Sequence, residues 1–273
     1  MRYFSGVASA AIFALVLLTG GCGSSPSTSK TPVFNKPNNP EAIRKLLKPA
    51  AEAPPQDGIA AAILIDTSGS MQDPVTGSDK KPHPKIQVAQ KALLNLLQQF
   101  STFAQKHADK KLLVGIYEFS FRRGQASCRQ IVKLGPPDVA AAQSGIKSIV
   151  PEGSTPIGDA MIAAARDLEA TGLSHRHILV ITDGESNMGY LPGDVTRVIT
   201  QEPDTARAAI YFIAFDIGAE LFEPVKDAGG LVLAADSEQQ LTDTLDFILT
   251  GKILVEQPPA PVRPPHPPTV IRK

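Results

Sequence analysis

Three largely apolar runs constrain the fold of this chain more than any other feature of its sequence. They span residues 59–65, 177–181 and 208–215. A strand that is apolar on both faces must be covered on both faces, which is typical of parallel sheets packed between helices. The predicted elements alternate along the chain, with strands at 58–65, 112–119, 129–133, 177–182, 208–215 and 231–234, and helices at 84–108, 137–148, 157–171, 193–201, 219–228 and 237–250. This alternation predicts an α/β fold, a Rossmann-like, doubly wound, mostly parallel six-stranded sheet with helices on both faces.

Polar residues follow two of these strands at the point where each ends. Asp66-Thr67-Ser68-Gly69-Ser70 comes directly after the first strand, and Thr182-Asp183-Gly184 closes the fourth. In a doubly wound sheet of order 3-2-1-4-5-6 these strands are neighbours, and the ligand crevice lies beyond their carboxyl ends. Gly153-Ser154-Thr155-Pro156 lies on a loop before a helix and can close the same crevice. The three fragments supply five oxygen-bearing side chains: Asp66, Ser68, Ser70, Thr155 and Asp183.

These fragments resemble those of a known family. Asp66-Thr67-Ser68-Gly69-Ser70-Met71 resembles the Asp-x-Ser-x-Ser signature of the von Willebrand factor type A domain. Ser154-Thr155-Pro156-Ile157-Gly158-Asp159-Ala160 and Thr182-Asp183-Gly184 match its second and third fragments, in the same order, and the resemblance covers about residues 57–255. The resemblance implies a metal-ion-dependent adhesion site in which hydroxyls and carboxylates, some through water, hold the ion: Ser68, Ser70, Thr155, Asp66 and Asp183.

The ligand chemistry favours a hard cation. Oxygen ligands without thiolate or imidazole suit Mg²⁺, with Mn²⁺ or Ca²⁺ as alternatives, over Zn²⁺ or copper. Two carboxylates acting partly through water leave the ion under-neutralised, so we expect a protein partner with an exposed Asp or Glu. Two other interpretations remain open. The five residues could only cap helices and turns, or they could bind a purely structural metal while the partner is recognised elsewhere.

The N-terminus predicts export and a lipid anchor. Residues 1–21 carry an early positive charge and an apolar run at 7–18, which is too short to span a bilayer and typical of a secretory signal. Gly20-Gly21-Cys22 resembles the lipobox of bacterial lipoproteins, although Thr19 stands where that family usually has a Leu-like residue. The resemblance implies lipidation of Cys22, and Gly23 after it favours the outer membrane of a Gram-negative cell. An ordinary cleaved signal is the alternative.

Composition sets the remaining boundaries. Residues 22–56 are rich in Ser and Pro and predict a lipidated tether with one short helix at Pro40–Leu47, followed by the domain at 57–255. Residues 256–273 form a Pro-rich tail, which would be a docking peptide or a solvated extension. If Cys22 carries lipid, Cys128 is the only other cysteine, so the mature chain cannot form an intramolecular disulfide. We expect it to be a buried or strand-end thiol.

Charge and motifs argue against several function classes. The formal net charge is zero, so a basic nucleic-acid footprint is missing. The sequence has neither the Gly-x-x-x-x-Gly-Lys-Ser/Thr loop of nucleotide triphosphatases nor the Gly-x-Ser-x-Gly elbow of serine hydrolases. His175 and His177 lack a third metal ligand and are predicted to face solvent. A hydrolase using Asp183 or Glu185 as a base is the residual enzymatic alternative.

We therefore predict that the chain is not an enzyme. The sequence favours an extracytoplasmic, lipid-anchored, metal-dependent protein-binding module that acts in adhesion or in assembly of an envelope complex. The competing prediction is an accessory or scaffold subunit of an ATPase, peptidase or transporter complex.

Overall fold

A computed structural model describes residues 33–123, 125–203 and 207–255. The predicted signal at 1–21, the lipidation site Cys22 and the Pro-rich tail at 256–273 lie outside the described residues. None of the helices in the described ranges has the length and apolarity that a membrane span requires.

The described chain alternates between strands and helices over most of its length. The strands are β1 (Phe34–Asn35), β2 (Gln56–Asp66), β3 (Pro74–Thr76), β4 (Pro82–Pro84), β5 (Leu112–Phe119), β6 (Cys128–Gly135), β7 (Leu173–Thr182), β8 (Met188–Gly189), β9 (Ala208–Phe215) and β10 (Leu231–Ala235). The helices are α1 (Pro40–Leu47), α2 (Lys85–Lys106), α3 (Val139–Lys147), α4 (Ile157–Ala170), α5 (Pro192–Gln201), α6 (Glu223–Asp227) and α7 (Glu238–Ile248). Short 3₁₀ turns occur at Gly69–Gln72 and Ala219–Phe222, and a π-helical turn at Leu249–Ile253 follows α7.

The central sheet has six strands in the order β10-β9-β7-β2-β5-β6. All neighbours are parallel except β5 and β6, which form an antiparallel pair at the sheet edge. These strands are the six that the sequence predicts, and their order is the predicted 3-2-1-4-5-6 arrangement. The doubly wound α/β prediction is confirmed. Because β2 lies beside β7, the two strands end next to each other at one edge of the sheet.

The alternation of side chains along β2 explains why this strand is apolar throughout. Ile59, Ala61, Ile63 and Ile65 face the core that contains α2 and α7, whereas Ala60, Ala62 and Leu64 face the core that contains α4 and α5. Successive residues of a strand point to opposite faces of the sheet. A strand with helices on both sides therefore needs apolar residues at every position.

The segment before β2 packs on the domain. Helix α1 has the predicted bounds, and the Asn39 side chain caps it by accepting a hydrogen bond from the Ala42 N–H at 3.0 Å. Ile43 and Leu47 are buried in the core shared with α4 and α5. Strand β1 pairs in parallel with β8. The described part of the predicted tether at 22–56 thus contributes structure to the folded domain.

Two residues singled out in the sequence take up particular positions. His177 is fully buried, with its ring stacked at 5.9 Å on Tyr211, so the prediction that it faces solvent is wrong. The reason is that β7 is a central strand covered on both faces. Cys128 begins β6 and is partly buried, which agrees with a strand-end thiol. Burial, followed by the nearby charges of Asp167 and Glu118, raises the pKa of Cys128 to about 12.

Candidate metal centre

Asp66 is the innermost member of the predicted site. It is the last residue of β2 and is fully buried. Its Oδ1 accepts a hydrogen bond from the Ser68 N–H at 2.7 Å, and its Oδ2 accepts one from the Thr182 hydroxyl at 2.6 Å. Burial, and then the charge of Asp183, raise the pKa of Asp66 to about 7. Among the described residues no cationic side chain pairs with Asp66, so its ionised form is stabilised by neutral donors alone.

Ser68 and Ser70 extend the site from the sheet edge to the surface. Their hydroxyl oxygens lie 3.2 Å apart, and the Ser70 hydroxyl donates to Asp183 Oδ1 at 2.9 Å. Ser68 is buried, Ser70 is partly buried and Gly69 between them is exposed. The first fragment therefore connects a buried carboxylate with a solvent-accessible hydroxyl.

Thr155 joins the site from the loop before α4. Its N–H donates to Asn187 Oδ1 at 2.9 Å, and its carbonyl accepts from the Ser186 hydroxyl at 3.3 Å, which fixes this loop to the segment after Asp183. A Cβ placed on Gly184 would lie 3.8 Å from Thr155 Oγ1 and 3.9 Å from Ser70 Oγ. The Thr155 and Ser70 hydroxyls thus both lie next to the glycine of the third fragment, and the three fragments meet.

The structure brings all five predicted residues together at the edge where β2 and β7 end. Their side chains offer only carboxylate and hydroxyl oxygens, which are the ligands that hard divalent cations prefer. The described residues contain no group of three or more His, Cys, Asp or Glu that could hold a metal ion. An ion here would thus depend on hydroxyl oxygens as well as carboxylates. The donor set and the buried Asp66 carboxylate fit such a cation, and metal binding itself stays a prediction.

The sequence analysis missed a lysine and a third carboxylate beside the site. Lys85 begins α2, and its Nζ lies 3.1 Å from Asp183 Oδ2 and 3.0 Å from Asp216 Oδ2. Burial alone would lower the pKa of Lys85, but Asp216 and Asp183 outweigh burial and raise it, so the side chain is an ammonium. Asp216 directly follows β9, much as Asp66 ends β2, and that pattern could have identified it. No sequence pattern marks Lys85, because its position depends on how the β3–β4 hairpin leads into α2.

Comparison with known proteins gives the same fold. Residues 61–185, which include all three fragments, match the sequence model of the von Willebrand factor type A domain. The PilB minor pilin from Streptococcus sanguinis is similar in structure, with a TM-score of 0.55, 15% identity, and coverage of 71% of this chain and 60% of that chain. The pilus adhesin SpaC from Lactobacillus rhamnosus GG has a TM-score of 0.51 and 13% identity, and the match covers 72% of this chain and 31% of that chain. The conserved hypothetical protein BatB from Bacteroides thetaiotaomicron has a TM-score of 0.52 and 17% identity, and the match covers 70% of this chain and 98% of that chain.

These comparisons establish the fold. The chain spans about three fifths of the length of the minor pilin, which it matches in the fold alone at 15% identity. No curated protein sequence matches the chain. The family match contains the three fragments in order together with strands β5, β6 and β7, and strands β9 and β10 extend the same sheet beyond the match. The described chain therefore has the von Willebrand factor type A fold.

Proposed function

We propose that this protein is an extracytoplasmic, lipid-anchored module whose type A domain binds a protein partner through a divalent cation. The observation that carries the proposal is the fully buried Asp66 carboxylate, which accepts hydrogen bonds from neutral groups only. A desolvated carboxylate is costly unless a cation lies near it. The oxygen ligands around it favour Mg²⁺, with Mn²⁺ or Ca²⁺ as alternatives.

In this proposal the ion is held by the five residues of the candidate centre: Asp66, Ser68, Ser70, Thr155 and Asp183. When bound, the ion would supply a positive centre that accepts an anionic oxygen from outside the chain. Lys85 already shares the charge of Asp183, so the two carboxylates would neutralise the ion only in part. An Asp or Glu side chain of a partner would complete the charge balance.

The rim of the site supports access by such a partner. Gly69, Gly153 and Glu185 are exposed, whereas Asp66 and Asp183 behind them are buried. Without an ion, Glu185 and the buried carboxylates would repel an acidic side chain. With an ion in place the local charge would favour it. We therefore expect binding of an acidic partner to depend strongly on divalent cations.

The rest of the proposal is supported by the sequence. Residues 1–21 and Cys22 favour export and lipidation, and Gly23 after the cysteine favours attachment to the outer membrane of a Gram-negative cell. Two proteins of similar fold are a minor pilin and a pilus adhesin, which is compatible with a role in adhesion or envelope assembly. We propose no catalytic role, because the sequence lacks the nucleotide-binding loop and the nucleophile elbow considered above.

Metal binding is tested by thermal unfolding and calorimetric titration of the purified full chain with MgCl₂ and MnCl₂ after treatment with EDTA. A ligand that binds only the folded state adds about 2.7 kcal/mol at 100 times its dissociation constant. For a domain of this size that corresponds to a rise in Tm of about 5–10 °C. The Asp66→Ala variant should lose the rise. An equal rise in wild type and variant would refute the site.

Partner binding is tested by capture from an envelope extract of the source cells, once with Mg²⁺ and once with EDTA. A partner retained only with Mg²⁺, and lost with Asp66→Ala, supports a metal-dependent binding module. Equal capture under both conditions would favour the accessory or scaffold role. A Tm rise with metal but no metal-dependent capture would favour a purely structural ion.

A further inference from the structure

Lys85 is an unusual neighbour for a cation site, because it places a positive charge against one of the predicted metal ligands. Its side chain is 7% exposed and that of Asp183 is fully buried. The ammonium lies 3.1 Å from Asp183 Oδ2 and 3.0 Å from Asp216 Oδ2. Lys85 thus connects the start of α2 to the ends of β7 and β9.

The position of Lys85 is fixed by the backbone on both sides. Its N–H donates to the carbonyl of Asp73, the residue before β3, at 2.9 Å, so the segment that leads into the β3–β4 hairpin holds the start of α2. Asp216 adopts a φ of 56°, in the left-handed region that Asp tolerates better than most residues. The Asp216 N–H donates to the Ala235 carbonyl at 2.7 Å, which fixes the turn after β9. The bridge is therefore built by three separate segments rather than by one flexible side chain.

The two oxygens of Asp183 face different partners. Oδ1 accepts the Ser70 hydroxyl at 2.9 Å on the side of the predicted ligands, and Oδ2 accepts Lys85 on the other side. Asp66 has no such ammonium among the described side chains. One of the two predicted metal carboxylates is thus already charge-balanced in the cation-free protein, and the other is not.

We propose that Lys85 is a built-in counter-cation of Asp183 that lowers the divalent-cation affinity of the site and stabilises its cation-free form. This inference rests on the metal site proposed above. A divalent cation would share Asp183 with the Lys85 ammonium and would be repelled by that ammonium. The carboxylate of Asp216, which also pairs with Lys85, partly offsets the repulsion. Lys85 would therefore set the cation concentration at which the site becomes able to bind an acidic partner.

The test compares the Mg²⁺ and Mn²⁺ affinities of four full-length proteins by calorimetric titration: wild type, Lys85→Met, Asp216→Asn and Lys91→Met. Lys85→Met should bind the cation at least about tenfold more tightly, which corresponds to about 1.4 kcal/mol. Asp216→Asn should bind it about threefold or more weakly, because Lys85 then balances Asp183 alone. Lys91→Met is the matched control, since Lys91 lies on the same helix and pairs with Glu238, which is not one of the predicted ligands. It should leave the affinity unchanged.

Thermal unfolding in EDTA separates this role from a merely structural one. Lys85→Met should lower the Tm in EDTA and regain stability with excess Mg²⁺, whereas a structural lysine would lower it equally under both conditions. Should Lys85→Met fail to fold, Asp216→Asn decides, because the Asp216 side chain is 39% exposed and asparagine, like aspartate, is enriched at positive φ. One outcome would overturn this inference alone. In it the wild type binds the cation, Asp66→Ala abolishes that binding, and Lys85→Met and Asp216→Asn leave the affinity unchanged. No binding in wild type or in Lys85→Met would overturn the proposed metal site together with it.

Discussion

Asp66→Asn should stabilise the cation-free protein at and above neutral pH. The folded state raises the pKa of Asp66 from its ordinary 3.8 to about 7, chiefly through burial. The folded protein therefore binds this proton more tightly than the unfolded chain does. The resulting stability is fully present below about pH 4 and is lost as the pH rises to about 7. A pKa difference of about 3 corresponds to about 4 kcal/mol.

Asparagine keeps the shape of the side chain and removes the charge. Its carbonyl oxygen can accept the Ser68 N–H, and its amide can donate to the Thr182 hydroxyl oxygen. The Thr182 hydroxyl can in turn donate to the Gly184 carbonyl, which lies 3.1 Å away. In EDTA at about pH 8 the free energy of unfolding of the variant should exceed that of wild type by up to about 4 kcal/mol, and the difference should vanish near pH 4.

The assay is urea denaturation followed by circular dichroism, in EDTA, across the range from about pH 4 to pH 8. Asp109→Asn is the matched control, because it removes the same charge from an exposed turn and should leave the pH dependence unchanged. A difference between Asp66→Asn and wild type that does not change with pH would refute the reasoning. So would a variant that is less stable than wild type at pH 8.

Three further predictions concern the fold. Gly158→Ala should cost about 1–3 kcal/mol of unfolding free energy in a urea titration, because the added Cβ would lie 2.1 Å from the Tyr190 carbonyl oxygen. Gly69→Ala is the control and should leave the unfolding free energy unchanged, because no atom lies within 4 Å of its added Cβ. Ile43→Ala should cost about 2–5 kcal/mol, and the half-exposed Leu46→Ala on the same helix much less; equal effects would show that α1 does not pack on the domain. Cys128, with its pKa raised to about 12, should be alkylated by iodoacetamide roughly a thousandfold more slowly at pH 8 in the folded than in the urea-unfolded protein, and equal rates would contradict its burial.

The sequence by itself determined the sheet and the meeting point of the three fragments. A run such as Ile59–Ile65 is apolar at every position, which is typical of a strand covered on both faces. Alternation with helices predicts a doubly wound sheet, and in the order 3-2-1-4-5-6 assumed for it β2 and β7 are neighbours, so the residues at their carboxyl ends lie at one edge. These features are predictable because they depend on local periodicity and on general rules of chain connection.

Only the tertiary structure decided which side chains surround the site and which segments belong to the domain. The contact between Lys85 and Asp183 joins positions 98 residues apart, and Asp216 enters from a third segment. Likewise, two apolar residues on the short helix α1, Ile43 and Leu47, gave no sign that they fill the core beside α4 and α5. Such contacts depend on the relative placement of whole elements to within about an ångström, which periodicity and local propensity do not specify.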